Sequence, residues 1–327
     1  MPNVVALATE YAPLRSRSTM VSMLLSGIQV GGIAAALLGL WLFTPFGWRS
    51  VFIAGFFPLL LFPLYLKYLP ESPVHLVKQN RLGELRGLVR RARPYEVVPN
   101  DSILQTDMAP GEAKNASKAS LTAIFQDGRG FSTVMFWLMY FLNLYTIYGF
   151  TIWLPKLVMN QGYSLASGLT SLLTLSIVSI IASYAAGIIA DRLIGIRPTL
   201  FIFYLLAFFS IIATGYATHF WSLMVCVSLA GAGFNGAQNC LNAYIALYYP
   251  PRMRSTAMGF CYGIGRMGSI AGPAIIGFLM SLHFTYHGML LAIAIPGLIP
   301  ALAVYAIRER YNFARLLASQ QIMIRSA

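Results

Sequence analysis

One arginine, Arg266, lies well inside a long apolar segment of this chain of 327 residues. Counted from Thr256 at about 1.5 Å per helical residue, Arg266 lies roughly 15 Å along the segment, near the middle of a hydrocarbon layer about 30 Å thick. A guanidinium is usually tolerated at that depth only where it faces a bundle interior or a water-filled cavity. Its planar donors suit a carboxylate. We therefore interpret Arg266 as a site for an organic anion; the alternative is an arginine bonded to the carbonyls of a neighbouring helix.

Six further side chains inside apolar segments are candidates for the same ligand. They are Asn235, Gln238 and Asn239 on one segment, and Asn143, Tyr145 and Tyr148 on another. The amides could bond a carboxylate or a phenolic hydroxyl, and the tyrosines could stack on a ring. The alternatives are hydrogen bonds between helices for the amides and interface anchoring for the tyrosines.

No arrangement of residues indicates catalysis, a metal or a bound cofactor. His283 and His287 have a spacing that a helix could turn into a metal pair, but no carboxylate or thiol is near them in the sequence. The three cysteines lie within apolar segments and give no metal spacing. The sequence therefore predicts a protein that is not an enzyme.

The composition places these residues in a membrane protein. Hydrophobic residues make up 57% of the chain, charged residues 10%, and the mean hydropathy is +0.67. Basic residues give a net charge of +13. They cluster in alternate loops rather than along one face, which favours a lipid bilayer over nucleic acid as the partner.

Eight complete apolar segments predict membrane-spanning helices. They cover residues 19–43, 50–68, 131–154, 165–190, 198–217, 220–247, 257–281 and 286–307, after a partial helix at the start. The polar region between the second and third segments contains an amphipathic pattern. Most basic residues lie on one side if that region and the C-terminus are cytoplasmic, which is the orientation that the sequence predicts.

An internal repeat appears when the chain is shifted by 237 residues. The shift aligns Tyr11, Pro13, Arg15, Arg17, Ser18, Thr19 and Gly31 with identical residues from Tyr248 to Gly268. Parallel repeats of this kind are typical of transporters built from two similar halves. We therefore divide the chain into the end of a first half (1–68), a cytoplasmic central loop (69–130), a second half of six helices (131–307) and a cytoplasmic tail (308–327).

Several motifs resemble the major facilitator superfamily. They are LPESP from Leu69, GIIADRLIGIR from Gly187, PNVVALATEYAPLRSRST from Pro2, and the series GFNGAQN, YPPRMRST and GIGRMGSIAGP between residues 233 and 273. Together they are similar to its aromatic acid/proton symporter branch. The resemblance implies an all-α membrane fold of which this chain holds about eight and a half of twelve helices, lacking the first three and a half.

The resemblance also implies a function. It predicts proton-coupled symport of aromatic carboxylates, such as benzoate or hydroxybenzoate, by alternating access in a monomer of the bacterial inner membrane. The proton gradient would drive transport without a cofactor, and the coupling acid is expected on the missing first helix. The alternatives are a remnant that does not transport, and a facilitator of sugars or other organic anions.

A charged latch on the cytoplasmic side is a further implication. If the two halves pack as in the superfamily, acidic and basic loop residues meet there and hold the outward-facing state. Its candidate members are Glu10, Arg15, Arg17, Asp191, Arg192, Arg252 and Arg254. For the arginines the alternative is an ordinary excess of positive charge on the inner side.

Overall fold

The computed structural model describes residue 11, residues 17–60 and 62–64, seven separate positions between 71 and 87, and residues 124–126 and 128–312. Several predictions fall outside these residues: the partial helix before residue 10, most of the amphipathic pattern, the tail beyond residue 312, Glu10 and Arg15. The side chains of Arg17 and Arg252 are outside them too.

All regular structure in the described residues is helical. Three helices precede the central loop: α1 (Arg17–Phe46), α2 (Trp48–Ala54) and α3 (Phe57–Leu60). Six follow it: α4 (Gly130–Asn160), α5 (Leu165–Arg192), α6 (Ile196–Thr214), α7 (Phe220–Tyr248), α8 (Pro251–Ser281) and α9 (Tyr286–Ala306). A short 3₁₀ helix, Glu309–Tyr311, comes next. The helices α4 to α9 are long and apolar enough to cross a membrane, which confirms the predicted all-α membrane fold.

Two predicted boundaries near prolines differ from the structure. Helix α4 continues through Pro155 to Asn160, six residues past the predicted end. The predicted second span is interrupted at Gly55 and Phe56, between α2 and α3. Pro58 is the second residue of α3, where the missing N–H costs no hydrogen bond because the first turn of a helix has no partner for it.

The chain divides into two compact units. The first comprises Met1–Ile28 and Trp48–Lys118, and the second Gln29–Gly47 and Ala119–Ala327. Within the first unit, the Tyr11 hydroxyl donates to the carbonyl of Glu71 at 2.6 Å. Within the second, the Tyr248 hydroxyl donates to the carbonyl of Arg308 at 3.1 Å. The shift of 237 residues that aligns the sequence repeat maps the first of these hydrogen bonds onto the second.

Helices α4 and α8 pack with their backbones in contact. A Cβ atom on Gly268 would lie 2.1 Å from the carbonyl oxygen of Phe141, and one on Gly272 would lie 2.4 Å from that of Tyr145. Glycine is required at such contacts because any side chain would separate the helices. The opposite face of α8 is open: Met267 is 63% exposed and Ile270 72% exposed. This packing fixes which face of α8 carries Arg266.

The second unit includes the later part of α1, which packs along α5. A Cβ atom on Gly32 would lie 3.2 Å from the Ser176 hydroxyl, and one on Gly39 would lie 3.1 Å from the Leu169 side chain. From Gly32 to Gly39 the chain advances by seven residues on α1, whereas the contacted residue on α5 changes from Ser176 to Leu169, seven residues earlier. The two helices are therefore antiparallel. A Cβ atom on Gly233 of α7 would similarly lie 2.5 Å from the backbone nitrogen of Ala207 on α6. These approaches bring polar side chains on three helices together.

Candidate functional site

Arg266 lies at the centre of α8, fifteen residues from each end of Pro251–Ser281. It lies on the open face, because the neighbouring Gly265 and Gly268 are buried against α4. The side chain is exposed, and its Nη1 donates to the hydroxyl of Tyr148 on α4 at 3.3 Å. A guanidinium has five N–H donors, and Arg266 makes no other side-chain hydrogen bond with the described residues. Most of its donors are therefore available to a ligand.

Three amides follow one face of α7: Asn235, Gln238 and Asn242, at spacings of three and four residues. Asn143 of α4, only 1% exposed, donates from Nδ2 to Oε1 of Gln238 at 2.7 Å. Gln238 then donates from Nε2 to Oδ1 of Asn242 at 3.3 Å. These bonds form a continuous polar chain from α4 along α7.

Two tyrosines extend this chain towards α8. The Tyr140 hydroxyl donates to Oδ1 of Asn242 at 2.9 Å. Its ring meets that of Tyr262 edge to face, with the ring centroids 5.3 Å apart. Tyr262 lies one turn before Arg266 on α8 and is 37% exposed. The polar chain therefore returns to the helix that carries the arginine.

Asn235, at the far end of the amide face, joins three helices. Its Nδ2 donates to the Ser179 hydroxyl of α5 at 2.9 Å and to the Gly231 carbonyl at 3.1 Å. Its Oδ1 accepts from Nε2 of Gln29, near the middle of α1, at 2.8 Å. The Asn235 side chain therefore links α7 to both α5 and α1.

The long apolar helices carry almost no negative charge. Asp191, in the last turn of α5, is the only aspartate or glutamate in the sequences of α1 and α4 to α9. An isolated charge at membrane depth is normally paired or hydrated. The arrangement can therefore accept an anion, and a carboxylate would supply the charge that the helices lack.

Comparison with known proteins identifies the fold family. The family model described as Major Facilitator Superfamily matches residues 1–214 and 171–320. The chain belongs to the major facilitator superfamily. It is a multi-pass membrane protein of a transporter superfamily and not an enzyme.

Similar members of the superfamily are named as transporters of aromatic acids. The benzoate transport protein of Acinetobacter baylyi is 35% identical over 311 residues, which is 95% of this chain and 66% of the relative. The gallate transporter of Pseudomonas putida is 33% identical over 94% of this chain and 67% of its own length. The 4-hydroxybenzoate transporter of Pseudomonas aeruginosa is 30% identical over 93% and 67%. The chain spans about two thirds of the length of these relatives.

A solved structure confirms the superfamily fold. The xylose transporter XylE from E. coli superimposes with a TM-score of 0.63 over 92% of this chain and 66% of that protein, at 16% identity.

Within this superfamily fold, the predicted site residues differ in the contacts that they make. Arg266 and Tyr148 are in contact, and Asn143 and Gln238 belong to the polar chain. Tyr145 is buried and donates to the Ala292 carbonyl of α9 at 3.2 Å, so its hydroxyl is used between helices. Asn239 is half-buried and makes no side-chain hydrogen bond with the described residues.

The predicted cytoplasmic latch stays a prediction. Asp191 and Arg192 are exposed at the end of α5, and Arg254 is half-buried in the first turn of α8. Asp191 forms no ion pair with any residue that the structure describes. The ion pair seen near this end of the second unit instead joins Arg197 of α6 to Glu309, with Nε and Oε1 3.6 Å apart.

His283 and His287 do not form a metal site with other described residues. His287 packs against the ring of Tyr216, with the ring centroids 5.0 Å apart. Across the described residues, no group of three or more histidines, cysteines or acids is placed to hold a metal ion.

Five members of the polar network were not predicted from the sequence: Gln29, Tyr140, Ser179, Asn242 and Tyr262. Asn242 could have been found, because it lies four residues after Gln238 on the same face of α7. The role of Gln29 has no such local signal, since its partner Asn235 is 206 residues away in the chain.

Proposed function

We propose that this chain forms part of a proton-coupled symporter that carries small aromatic carboxylates, such as benzoate or hydroxybenzoate, across the bacterial inner membrane. Arg266 binds the carboxylate, and Tyr148 orients the guanidinium. The polar chain of Asn143, Gln238 and Asn242 lines the same region. Transport proceeds by alternating access between two similar halves.

The observation that carries this proposal is the environment of Arg266. Its guanidinium is central in α8, lies on the open face of that helix and donates a hydrogen bond to one described side chain, the Tyr148 hydroxyl. No carboxylate of α1 or of α4 to α9 lies near the middle of these helices to neutralise it. A bound carboxylate would provide a charge-assisted and bidentate partner, which is the strongest type of hydrogen bond available to arginine. The names of the similar proteins, which transport benzoate, gallate and 4-hydroxybenzoate, support the same class of ligand.

Proton coupling needs a titratable group that the substrate site can influence. The middle of α1 and of α4 to α9 contains no acid or histidine. We therefore assign coupling to a group outside these helices, and binding at Arg266 is expected to be separable from it.

A binding experiment tests the site without requiring transport. The chain is purified into lipid nanodiscs, and benzoate binding is measured by isothermal titration calorimetry. We expect Arg266→Lys to weaken benzoate binding about tenfold or more, because lysine keeps the charge but loses the planar pair of donors. The melting temperature should change little, since the arginine side chain is exposed.

Lys156→Gln is the matched control. Lys156 is exposed near the end of α4, and removing its charge should leave the benzoate Kd unchanged. If Arg266→Lys binds benzoate as tightly as the wild type, Arg266 is not the carboxylate site.

Transport is tested separately in proteoliposomes. Accumulation of benzoate that requires an inward proton gradient is expected of a symporter. Binding without any accumulation would contradict symport by this chain and support the alternative of a remnant that binds but does not transport.

A further inference from the structure

A second polar layer lies one helical turn from Arg266, towards the N-terminal end of α8. It consists of Tyr262 on α8, Tyr140 on α4 and Asn242 on α7. Tyr140 connects the other two, through its hydroxyl to Asn242 at 2.9 Å and through its ring to Tyr262 at 5.3 Å between centroids. The layer is therefore held in place by contacts among three helices.

Only the oxygen of the Asn242 amide forms hydrogen bonds with the described residues. Its Oδ1 accepts two hydrogen bonds, from Tyr140 and from Gln238. Its Nδ2 donates none to the described residues. That nitrogen is not one of the fully buried polar atoms without a partner in the described residues. Asn242 itself is only half-buried, so the nitrogen is accessible. Two N–H donors are consequently held in a fixed orientation, in a place that a ligand can reach.

Asn235 provides a contrast on the same face of α7. Its Nδ2 makes two hydrogen bonds and its Oδ1 accepts a third, all with other parts of the protein. A purely structural amide has this pattern. Asn242 differs because the bonds to its oxygen fix the amide plane and leave the nitrogen available.

The spacing between the two layers suits an aromatic acid. Tyr262 and Arg266 are four residues apart on α8, so about 6 Å of helix rise separates them. Tyr148 and Tyr140, their partners on α4, are also on one face of that helix. An aromatic ring that extends from a carboxylate on Arg266 towards the N-terminal end of α8 would lie beside Tyr262 and reach the layer that contains Asn242.

We propose that Asn242 and Tyr262 form a subsite for a hydroxyl group on the substrate ring, opposite its carboxylate. Nδ2 of Asn242 donates to the hydroxyl oxygen, and the Tyr262 ring packs against the substrate ring. The preferred substrates are then para-hydroxylated aromatic carboxylates rather than unsubstituted ones. This inference rests on the proposed role of Arg266 as the carboxylate site.

The test compares three acids: benzoate, 2-hydroxybenzoate and 4-hydroxybenzoate. Each is titrated into the full chain in lipid nanodiscs, and the Kd is measured calorimetrically. The wild type should bind 4-hydroxybenzoate about tenfold more tightly than benzoate, as expected for one additional hydrogen bond in a desolvated site. The 2-hydroxy acid should not gain this advantage, because its hydroxyl lies next to the carboxylate.

Asn242→Leu should abolish the preference for 4-hydroxybenzoate over benzoate, because the amide donors are lost while the arginine is unchanged. Asn242→Ser keeps an oxygen for Tyr140 but lacks the amide donors, and it should show the same loss if the leucine variant does not fold. Lys156→Gln is again the control, since Lys156 is exposed near the end of α4 and its variant should keep the preference.

The outcomes separate this inference from the proposed function. Equal binding of benzoate and 4-hydroxybenzoate by the wild type would overturn the hydroxyl subsite, and so would a preference that survives in both Asn242 variants. In either case, benzoate binding that depends on Arg266 would leave the proposed function standing. If the wild type binds none of the three acids, both the subsite and the proposed function fail.

Discussion

At the scale of single residues, Glu309, which lies just after the end of α9, balances the positive charge of the largely buried Arg197. Its carboxylate pairs with Arg197 at 3.6 Å and accepts hydrogen bonds from Tyr244 and Asn312. The exposed side-chain fractions are 20% for Arg197 and 13% for Glu309. Arg197 also donates to the Val304 carbonyl at 3.0 Å. These contacts join the start of α6, the end of α7 and the end of α9.

Glu309→Gln should therefore destabilise the second unit. Glutamine can still accept from Tyr244, but the Arg197 charge loses its counter-ion in a largely desolvated place. We expect a loss of about 1–3 kcal/mol in the free energy of unfolding. Thermal unfolding in detergent, followed by circular dichroism, measures the change.

Glu84→Gln offers a comparison within the same chain. Glu84 pairs with Arg81 at 2.5 Å, but both side chains are about half exposed. An exposed pair of this kind contributes about 1 kcal/mol at most. A loss at Glu309 no larger than that at Glu84 would show that burial of the Arg197 pair adds nothing to stability.

Residue chemistry could be predicted from the sequence only where one residue was unusual by itself. Arg266 stood out because a charge inside an apolar segment is rare. The sequence could not distinguish the roles of Tyr145 and Tyr148, which are only three residues apart on α4. Their hydroxyls bond different helices, α9 for Tyr145 and α8 for Tyr148. That difference depends on how α4 is rotated against α8 and α9, which no local pattern reveals.

At the scale of helices, glycines set the distance between α4 and α8. The Cβ of an alanine at Gly268 would lie 2.1 Å from the Phe141 carbonyl oxygen, and backbone atoms cannot yield as a flexible side chain can. Gly268→Ala should force the helices apart and lower the melting temperature by several degrees or prevent folding. The cost should exceed about 2 kcal/mol, because contacts along both helices are lost.

Gly259→Ala is the matched control on the same helix. No heavy atom lies within 4 Å of a Cβ atom placed there. Alanine should be neutral or stabilising by up to about 1 kcal/mol, since it favours the helix more than glycine does. Similar losses at both glycines would contradict the close backbone contact as the cause.

The helices themselves were predictable, and their pairing was not. Apolar runs of about 20 residues set the bounds of α5, α6, α7 and α9 to within a few residues, because a bilayer demands that length. Helix α8 begins at Pro251, six residues before its predicted start. Proline was less reliable as a boundary, since α4 continues past Pro155. The contact between Gly32 and Ser176 joins positions that are far apart in the chain, and its register depends on the packing of whole helices.

At the scale of the whole molecule, the sequence repeat has a physical counterpart. Tyr11 and Tyr248 are equivalent in the repeat, and each donates to a main-chain carbonyl 60 residues further along, those of Glu71 and Arg308. A tyrosine hydroxyl that bonds main chain places few demands on the residue type of its partner. The same contact can therefore persist in two halves whose other residues have diverged.

The antiparallel contact of α1 with α5 allows a test of the arrangement within the second unit. A Cβ atom on Gly32 would lie 4.0 Å from the Cβ of Ser176, which is within the range for a disulfide. Gly32→Cys combined with Ser176→Cys, in a background without the native Cys226, Cys240 and Cys261, should form a disulfide under mild oxidation. Cleavage at a protease site inserted in the central loop then leaves two fragments that remain joined on a non-reducing gel.

The neighbouring glycine supplies the control for this cross-link. A Cβ atom at Gly31 has no heavy atom within 4 Å, so Gly31→Cys with Ser176→Cys should leave the fragments separate. If α1 and α5 belong to the two different halves that the repeat predicts, a disulfide between them should also stop any proton-driven benzoate accumulation while benzoate binding at Arg266 persists. Equal cross-linking by both cysteine pairs would contradict the register of α1 on α5, and unimpaired accumulation by the cross-linked protein would contradict movement between these two helices during transport.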